Sequence, residues 1–343
     1  MKFLKKFATR AEYEAYMVGN ENYPFVVYIA DEKKVEYHPL LDFSSMPFYV
    51  KALEDMTVSF TTNPIQYSLD NEAWVDLPVG ESTPTIAAGD KVYFKAEGLT
   101  PTSSEGIGTF NIVGRCNLGG NIMSLLYGDD FVDKVYIGKE YFFYKLFYQQ
   151  TSIVHAGNLV LPATTLQPNC YKNMFNGCTS LTNAPKILPA TTLAKNCYQG
   201  MFRGCTSLVN APELPATTLV DYCYESMFYD CTSLVNAPKI LPATNLVDYC
   251  YQYMFYGCTS LVTAPVLLAR SLDSYCCQYM FYDCTNLQYI KAMFTSAPSV
   301  HYTGSWVYGV KSVGTFVKSA AATWNVTGSN GIPSGWTIET ATE

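Results

Sequence analysis

Five near-copies of one sentence run through the middle of this 343-residue chain. They read LPATTLQPNCYKNMFNGCTSLTNAP from Leu161, LPATTLAKNCYQGMFRGCTSLVNAP from Leu188 and LPATTLVDYCYESMFYDCTSLVNAP from Leu214. LPATNLVDYCYQYMFYGCTSLVTAP begins at Leu241, and a worn copy, LLARSLDSYCCQYMFYDCTNLQYI, at Leu267. The period alternates between 27 and 26 residues. A fixed period of that length marks a solenoid, because each unit is too small to bury its own apolar face and must stack on its neighbours. It moves the functional expectation toward recognition surfaces and away from a catalytic cleft.

Within a unit, Cys170, Met174 and Cys178 lie four apart, and Tyr171, Phe175 and Cys178 lie four and three apart. Such a stripe predicts a short helix or helical turn. The residue before the second cysteine is Gly177, Gly204, Asp230, Gly257 or Asp283. All tolerate a left-handed backbone, as at a helix C-terminus. Ser180 to Pro185 is poor in helix formers, and two prolines, Pro185 and Pro189, close the segment. A short strand and a turn are predicted there, since proline lacks the donor a central ladder needs. The expected unit is strand, turn, short helix, turn.

A degraded unit precedes the five. Phe142 to Ile153 aligns with CYKNMFNGCTSL 28 residues on, with Phe142 and Gln150 at the cysteine positions. The last copy is worn too: Cys277 replaces the tyrosine of positions 171, 198, 224 and 251, and Ile290 replaces the alanine of NAP. Terminal units of a solenoid are atypical because one side meets solvent or another domain. Six stacked units are expected over about residues 134 to 295, closed by a different element at each end.

Charged residues make up 15% of the chain, and Leu161 to Ile290 holds six Lys and Arg against seven Asp and Glu. The net charge of -7 argues against a nucleic-acid partner, which needs a basic stripe. No window holds eighteen apolar residues, so membrane insertion is not expected. The start, MKFLKKFATRAEYEAYM, is basic but lacks the apolar core of an ordinary secretory signal. Twelve cysteines suggest a disulfide ladder or a metal array. On a helix, cysteines eight apart stand about 12 Å apart, whereas a disulfide needs less than about 7 Å. Zinc sites favour pairs two to four residues apart, and only Cys276 and Cys277 are close. Two interior columns of free thiols are the expectation, with no cofactor and no metal.

The remaining chain divides in three. Residues 1–45 read as a small α+β attachment unit: a capping box at Thr9 to Glu12 opens a helix through Met17, and Tyr23–Ile29 and Val35–Tyr37 form a hairpin. Residues 46–114 read as an all-β, immunoglobulin-like sandwich, with strands at Met56–Phe60, Gln66–Leu69, Ala73–Leu77 and Lys91–Ala96. The solenoid domain takes residues 115–295. Residues 296–343 read as a β cap with strands at Gly314–Lys318 and Gly335–Glu339, pairing with the last open edge. The fold class is thus a mixed α/β solenoid with one short strand and one short helix per repeat, preceded by an α+β unit and a sandwich.

The run C-Y-x-x-M-F-x-[GD]-C-T-S-L, with L-P-A-T-T-L between copies, resembles the BspA-like class of leucine-rich repeats. That class is abundant in surface proteins of gut Bacteroidetes and in their phages. The ending GTFVKSAAATW…GSNGIPSGWTIE and the stretch YSLDNEAWVDL…AAGDKVYFKAEG are similar to segments that often flank those arrays. The resemblance implies a curved solenoid used for adhesion or ligand recognition; it does not imply an enzyme, and none is expected.

Catalytic chemistry finds little support. His38, His155 and His301 are the only histidines, and none has a nucleophile or carboxylate at a recognisable spacing. Gly106 and Gly108 lack the third glycine of a dinucleotide loop. Asp129, Asp130 and Asp133 lack the alternating ligands and closing glutamate of a calcium loop and read as a solvated turn. Asn325–Thr327 matches a glycosylation sequon, a weak signal alone. Tyrosine is the stronger lead, with 28 in the chain. Tyr229, Tyr256 and Tyr282 form one column, Tyr222, Tyr249 and Tyr275 another, and Tyr253 with Tyr279 a third. Early repeats carry Asn176, Asn169 and Asn173 there, so the columns are expected to be exposed and to bind protein or glycan. The alternative is that they stack and stiffen the array. The expected role is a virion component, a fibre or appendage, meeting a host or partner through the solenoid and other virion proteins through residues 1–45, with oligomers possible. The alternative is a bacterial surface or secreted adhesin binding host protein or glycan.

Overall fold

The computed structural model describes residues 3–7, 25–29, 34–38 and 42–342. At the start, β1 (Phe3–Phe7), β2 (Phe25–Ile29) and β3 (Lys34–His38) form one sheet, β1 parallel and β3 antiparallel to β2. The hairpin is where the sequence suggests it, and β1 is an addition. The helix expected over residues 9–17 lies outside the described residues.

The next strands are β4 (Tyr49–Ala52), β5 (Thr57–Phe60), β6 (Ile65–Ser68), β7 (Val75–Leu77), β8 (Lys91–Lys95), β9 (Phe110–Val113), β10 (Cys116–Asn121) and β11 (Ile153–Val160). They build a six-stranded sheet in the order β11-β10-β4-β8-β6-β7 and a separate β5-β9 pair. Alternation drives this: in β8 Val92 and Phe94 are buried between half-exposed Lys91, Tyr93 and Lys95. Phe48, Phe60, Phe94 and Phe110 meet between the layers at ring separations of 4.7 to 5.9 Å. Strand β10 pairs antiparallel with β4 and parallel with β11. The sheet therefore runs unbroken across position 114 into the first strand of the solenoid. The cores merge as well, with Phe110 stacked 5.6 Å from Phe147 of the degraded unit.

The repeat unit contains no α-helix, which corrects the expected helix per repeat. Its Cys-to-Cys run is a chain of tight turns with a left-handed residue every fourth position. In one copy these are Asn169, Asn173 and Gly177, with φ of 60, 57 and 78°. In later copies Tyr222, Ser226 and Asp230 take φ of 60, 53 and 56°. Backbone N–H groups alternate in destination. Those of Lys172, Met174 and Asn176 donate three residues back, to Asn169, Tyr171 and Asn173. Those of Tyr171, Asn173, Phe175 and Gly177 donate across to Cys197, Gln199, Met201 and Arg203 of the next coil. Half of the donors thus stay within a coil and half weld it to its neighbour, so the run is satisfied only when stacked. A four-residue repeat places its apolar residues on one side much as a 3.6-residue helix does, which is why the stripe reads as helical.

That side is entirely buried. Phe147, Phe175, Phe202, Phe228, Phe255 and Phe281 form a stack at 5.2 to 5.7 Å spacing. Phe143, Tyr171, Tyr198, Tyr224 and Tyr251 form a second at 5.5 to 6.1 Å. The hydroxyls of Tyr171 and Tyr224 are buried with no protein partner. The second cysteine of each unit has a specific role. The thiols of Cys178, Cys205, Cys231, Cys258 and Cys284 donate at 3.0 to 3.1 Å to the carbonyls of Phe147, Phe175, Phe202, Phe228 and Phe255. Alanine would lose this link, and serine would bring a more strongly hydrated group into the core.

All twelve cysteines are free and buried. Burial pushes the Cys116 and Cys197 thiols up to about 12 and raises those of Cys170, Cys178 and Cys205 as well. Reaction requires an accessible thiolate. Native protein should therefore show few groups to a thiol reagent and the denatured chain all twelve. Intact disulfides within repeats, found by mass spectrometry, would refute this core.

The strand side is sparse: β12 (Ile240–Leu241) and β13 (Val266–Leu267) are two residues each, and single parallel bridges such as Asn183 to Asn210 link other coils. Toward the C-terminus β14 (Tyr289–Ala292), β15 (Thr315–Lys318) and β16 (Thr337–Thr340) lengthen into parallel neighbours. The coil before β15 is a further turn unit, within the stretch that the sequence suggests is all cap. Cys277, Tyr279, Phe281 and Asp283 donate to the carbonyls of Tyr302, Gly304, Trp306 and Tyr308. Three tryptophans finish the end. The indole N–H groups of Trp306, Trp324 and Trp336 donate to the carbonyls of Gly331, Phe294 and Lys311 at 2.8, 3.1 and 2.7 Å, covering apolar surface while satisfying backbone acceptors.

Candidate functional site

The tyrosine columns sit on the outside of the turn run. Tyr222, Tyr249, Tyr253, Tyr275 and Tyr279 are all left-handed, with φ between 55 and 60°. A bulky L-residue there costs roughly 1–2 kcal/mol relative to glycine. Cross-coil bonds hold them in place, with the N–H groups of Tyr249, Tyr253 and Tyr275 donating at 3.1, 3.0 and 2.7 Å to Ser274, Gln278 and His301. Ring stacking adds to this.

Tyr222, Tyr249 and Tyr275 stack at 4.6 and 5.1 Å, and His301 follows Tyr275 at 5.0 Å. Tyr229, Tyr256, Tyr282 and Tyr308 stack at 4.5, 4.9 and 4.7 Å. Tyr253 and Tyr279 stack at 4.9 Å and abut the previous ladder, Tyr253 lying 6.0 Å from Tyr256 and Tyr279 lying 5.7 Å from Tyr282. Six tyrosine rings thus form one patch, and three tyrosines with the His301 imidazole form another.

Each of the eight tyrosines is half-buried, not fully exposed. Asn169, whose polarity suggested an outward position, is itself buried. In the ladders each ring face lies against its neighbour, leaving edges and hydroxyls outward. The two ends of the Tyr229–Tyr308 ladder differ. The Arg203 guanidinium lies 4.3 Å over Tyr229 at one end, and Tyr308, 52% exposed, stands at the other. Sequence reasoning missed Tyr308, His301 and Arg203. The first two were legible by continuing the period, since HYTGSWVYG aligns with YCCQYMFYD 26 residues earlier.

Carboxylates rim the ladders. Desolvation, then Tyr249 and the charges of Glu225, Asp221 and Asp248, hold the Tyr222 hydroxyl above its ordinary range. Burial raises the Glu225 carboxyl, while the Gln199 amide, Lys172 and Arg203 draw it back. Glu225 is half-buried and accepts from Gln199 Nε2. Burial also raises Asp230, against the pull of Arg203.

The other candidates fall elsewhere. His155 lies on β11, its Nδ1 bonded to Thr182 Oγ1 at 2.7 Å and Asn183 Nδ2 at 3.0 Å. Asp129 pairs with Lys95 at 2.7 Å. Among the described residues no group of three or more His, Cys, Asp or Glu is arranged to hold a metal, and no helix is long and apolar enough to cross a membrane.

Searches of curated proteins and of solved structures gave no match. Residues 168–302 match, in six copies, the family model described as the BspA type leucine rich repeat region. The leucines of that name fill buried columns, among them Leu181, Leu208, Leu234, Leu261 and Leu287. This stretch of the chain is therefore a BspA-like leucine-rich repeat array, stacked coil on coil.

Proposed function

We propose that the chain is a non-enzymatic recognition protein that meets its partner through the tyrosine ladders of the C-terminal coils. The supporting observation is the retention of five tyrosines in a strained backbone conformation, on a surface where asparagine, glycine or serine serves the same turn in earlier copies. Strain kept in register over several coils points to use. Ring edges and hydroxyls next to carboxylates suit a hydrogen-bonding, amphipathic partner such as a protein or glycan face. The setting we propose, carried from the resemblance to repeats of phages and gut Bacteroidetes, is a virion appendage with its N-terminal unit as the attachment end.

The test uses fluorescently labelled protein and a panel of gut Bacteroidetes cells. Changing Tyr229, Tyr256 and Tyr282 together to Ser should lower cell binding at least about tenfold, the loss of one or two good contacts, with the circular dichroism spectrum kept. Removing residues 1–41 should spare cell binding and abolish incorporation into particles. The cut stops short of Phe43, which is buried, and Ser44, whose carbonyl accepts from Asn121. Unchanged cell binding by the triple variant would mean that the ladders are packing. Binding to host mucin or matrix protein, with none to bacterial cells, would favour an adhesin.

A further inference from the structure

Away from the ladders, a cleft of about 660 Å³ lies where the β4–β10 sheet meets the first coils. One wall carries Tyr49, Lys51 and Asn117, and the other carries His155, Asn183 and Asn210. The volume is in the range of small-molecule sites, which concentrate where structural units meet. The walls are fixed to each other, because β10 and β11 belong to one sheet. The cleft is therefore formed before any ligand arrives, and ordering costs are small.

Its solenoid wall is an amide ladder with a direction. Asn236 Nδ2 donates to Asn210 Oδ1 at 2.7 Å, and Asn210 Nδ2 donates to Asn183 Oδ1 at 3.2 Å. Asn183 Nδ2 then points to His155 Nδ1 at 3.0 Å. Thr182 Oγ1 meets the same Nδ1 at 2.7 Å and donates to the Val154 carbonyl at 3.0 Å, so the Nδ1 edge is engaged on the solenoid side. Burial and the charge of Arg115 keep the imidazole neutral by lowering its pKa. Asn210 uses one N–H and one lone pair in the ladder and retains one of each, while Asn183 retains a lone pair. A planar donor beside an acceptor matches neighbouring hydroxyls on a sugar ring. Ala184, Pro185 and Ala211 also line the cleft, giving apolar surface for the ring's C–H face, and among the described residues no carboxylate lines it. Gly157 keeps the space open. A Cβ there would meet only the Ala184 carbonyl and Asn183 Cβ, both at 4.0 Å, so a side chain fits the backbone and would fill the cleft.

We infer that this cleft binds a saccharide of one or two rings, held by the amides of Asn183 and Asn210 and the imidazole of His155. The site shares no residue with the ladders and stands or falls apart from them. The experiment is saturation-transfer NMR on the full chain with glucose, N-acetylglucosamine, glucuronate and lactose at millimolar concentration. At least one should receive saturation from the wild type and from the triple tyrosine variant. Gly157→Leu should abolish the transfer, and Asn210→Ala, at an exposed rung, should weaken binding about tenfold. Transfer to none of the four sugars, or transfer that persists in folded Gly157→Leu, would overturn the inference. If Gly157→Leu fails to fold, wild-type affinity in Asn210→Ala overturns it instead.

Discussion

Raising the pH should unfold this protein abruptly, within about one pH unit around pH 10. The thiols of Cys116, Cys170, Cys178, Cys197, Cys205, Cys223, Cys231, Cys250, Cys258, Cys277 and Cys284 are all raised by burial. So are the buried hydroxyls of Tyr171, Tyr198, Tyr224 and Tyr251. An acid whose folded pKa lies above its unfolded value contributes full stability below the unfolded pKa. It loses that contribution as pH rises beyond it. The window therefore opens near 9.0, the ordinary thiol value. Each group then removes about 1.4 kcal/mol per pH unit. The eleven thiols together remove on the order of 15 kcal/mol per pH unit, as much as a whole domain's stability. Far-ultraviolet circular dichroism and tyrosinate absorbance, followed in reductant, should change together. Thiols that titrate smoothly near their ordinary value while the fold persists would mean that the columns are open to water.

Phe228→Ala should cost about 3–5 kcal/mol in a urea titration, as for buried aromatics generally. The ring is fully buried, stacked 5.7 Å from Phe202 and 5.4 Å from Phe255. Its removal breaks the stack on both sides, and stability in such arrays is carried by nearest-neighbour contacts. The carbonyl that accepts from Cys258 remains in the variant, so the loss measures the ring. Glu225→Ala in the same coil should cost about 1 kcal/mol, the worth of its bond from Gln199. Equal costs at the two positions would mean that the inside and outside of the coil are misassigned.

Much of the fold is legible in the repeats. The period, the stacked build, the apolar columns of cysteine, tyrosine, methionine and phenylalanine, and the degraded first unit follow from repetition alone. A position that stays apolar through successive copies faces the neighbouring coil. The residue before the second cysteine reads as left-handed, and it is, at Gly177 and Asp230 alike. The reason differs, because it is the last of three such residues and not the end of a helix. The signal lies in Asn169, Asn173 and Gly177, four apart, and later copies obscure it by placing Tyr249 and Tyr253 at the same points.

Repetition in the chain thus dictates that the units must stack and which residues lie between them. It does not dictate how the backbone meets that demand. A short helix and a chain of turns present the same apolar face, and they differ in where the N–H groups go. That choice is settled by the neighbouring coil, which offers a carbonyl to every second donor. Long-range packing also shapes the tyrosine ladders and the cleft. The fate of the ring faces in the ladders depends on the separation of coils. The cleft beside His155 exists because β10 pairs with β11 across 37 residues of register, Cys116 against Ile153, a long-range contact that no local pattern encodes.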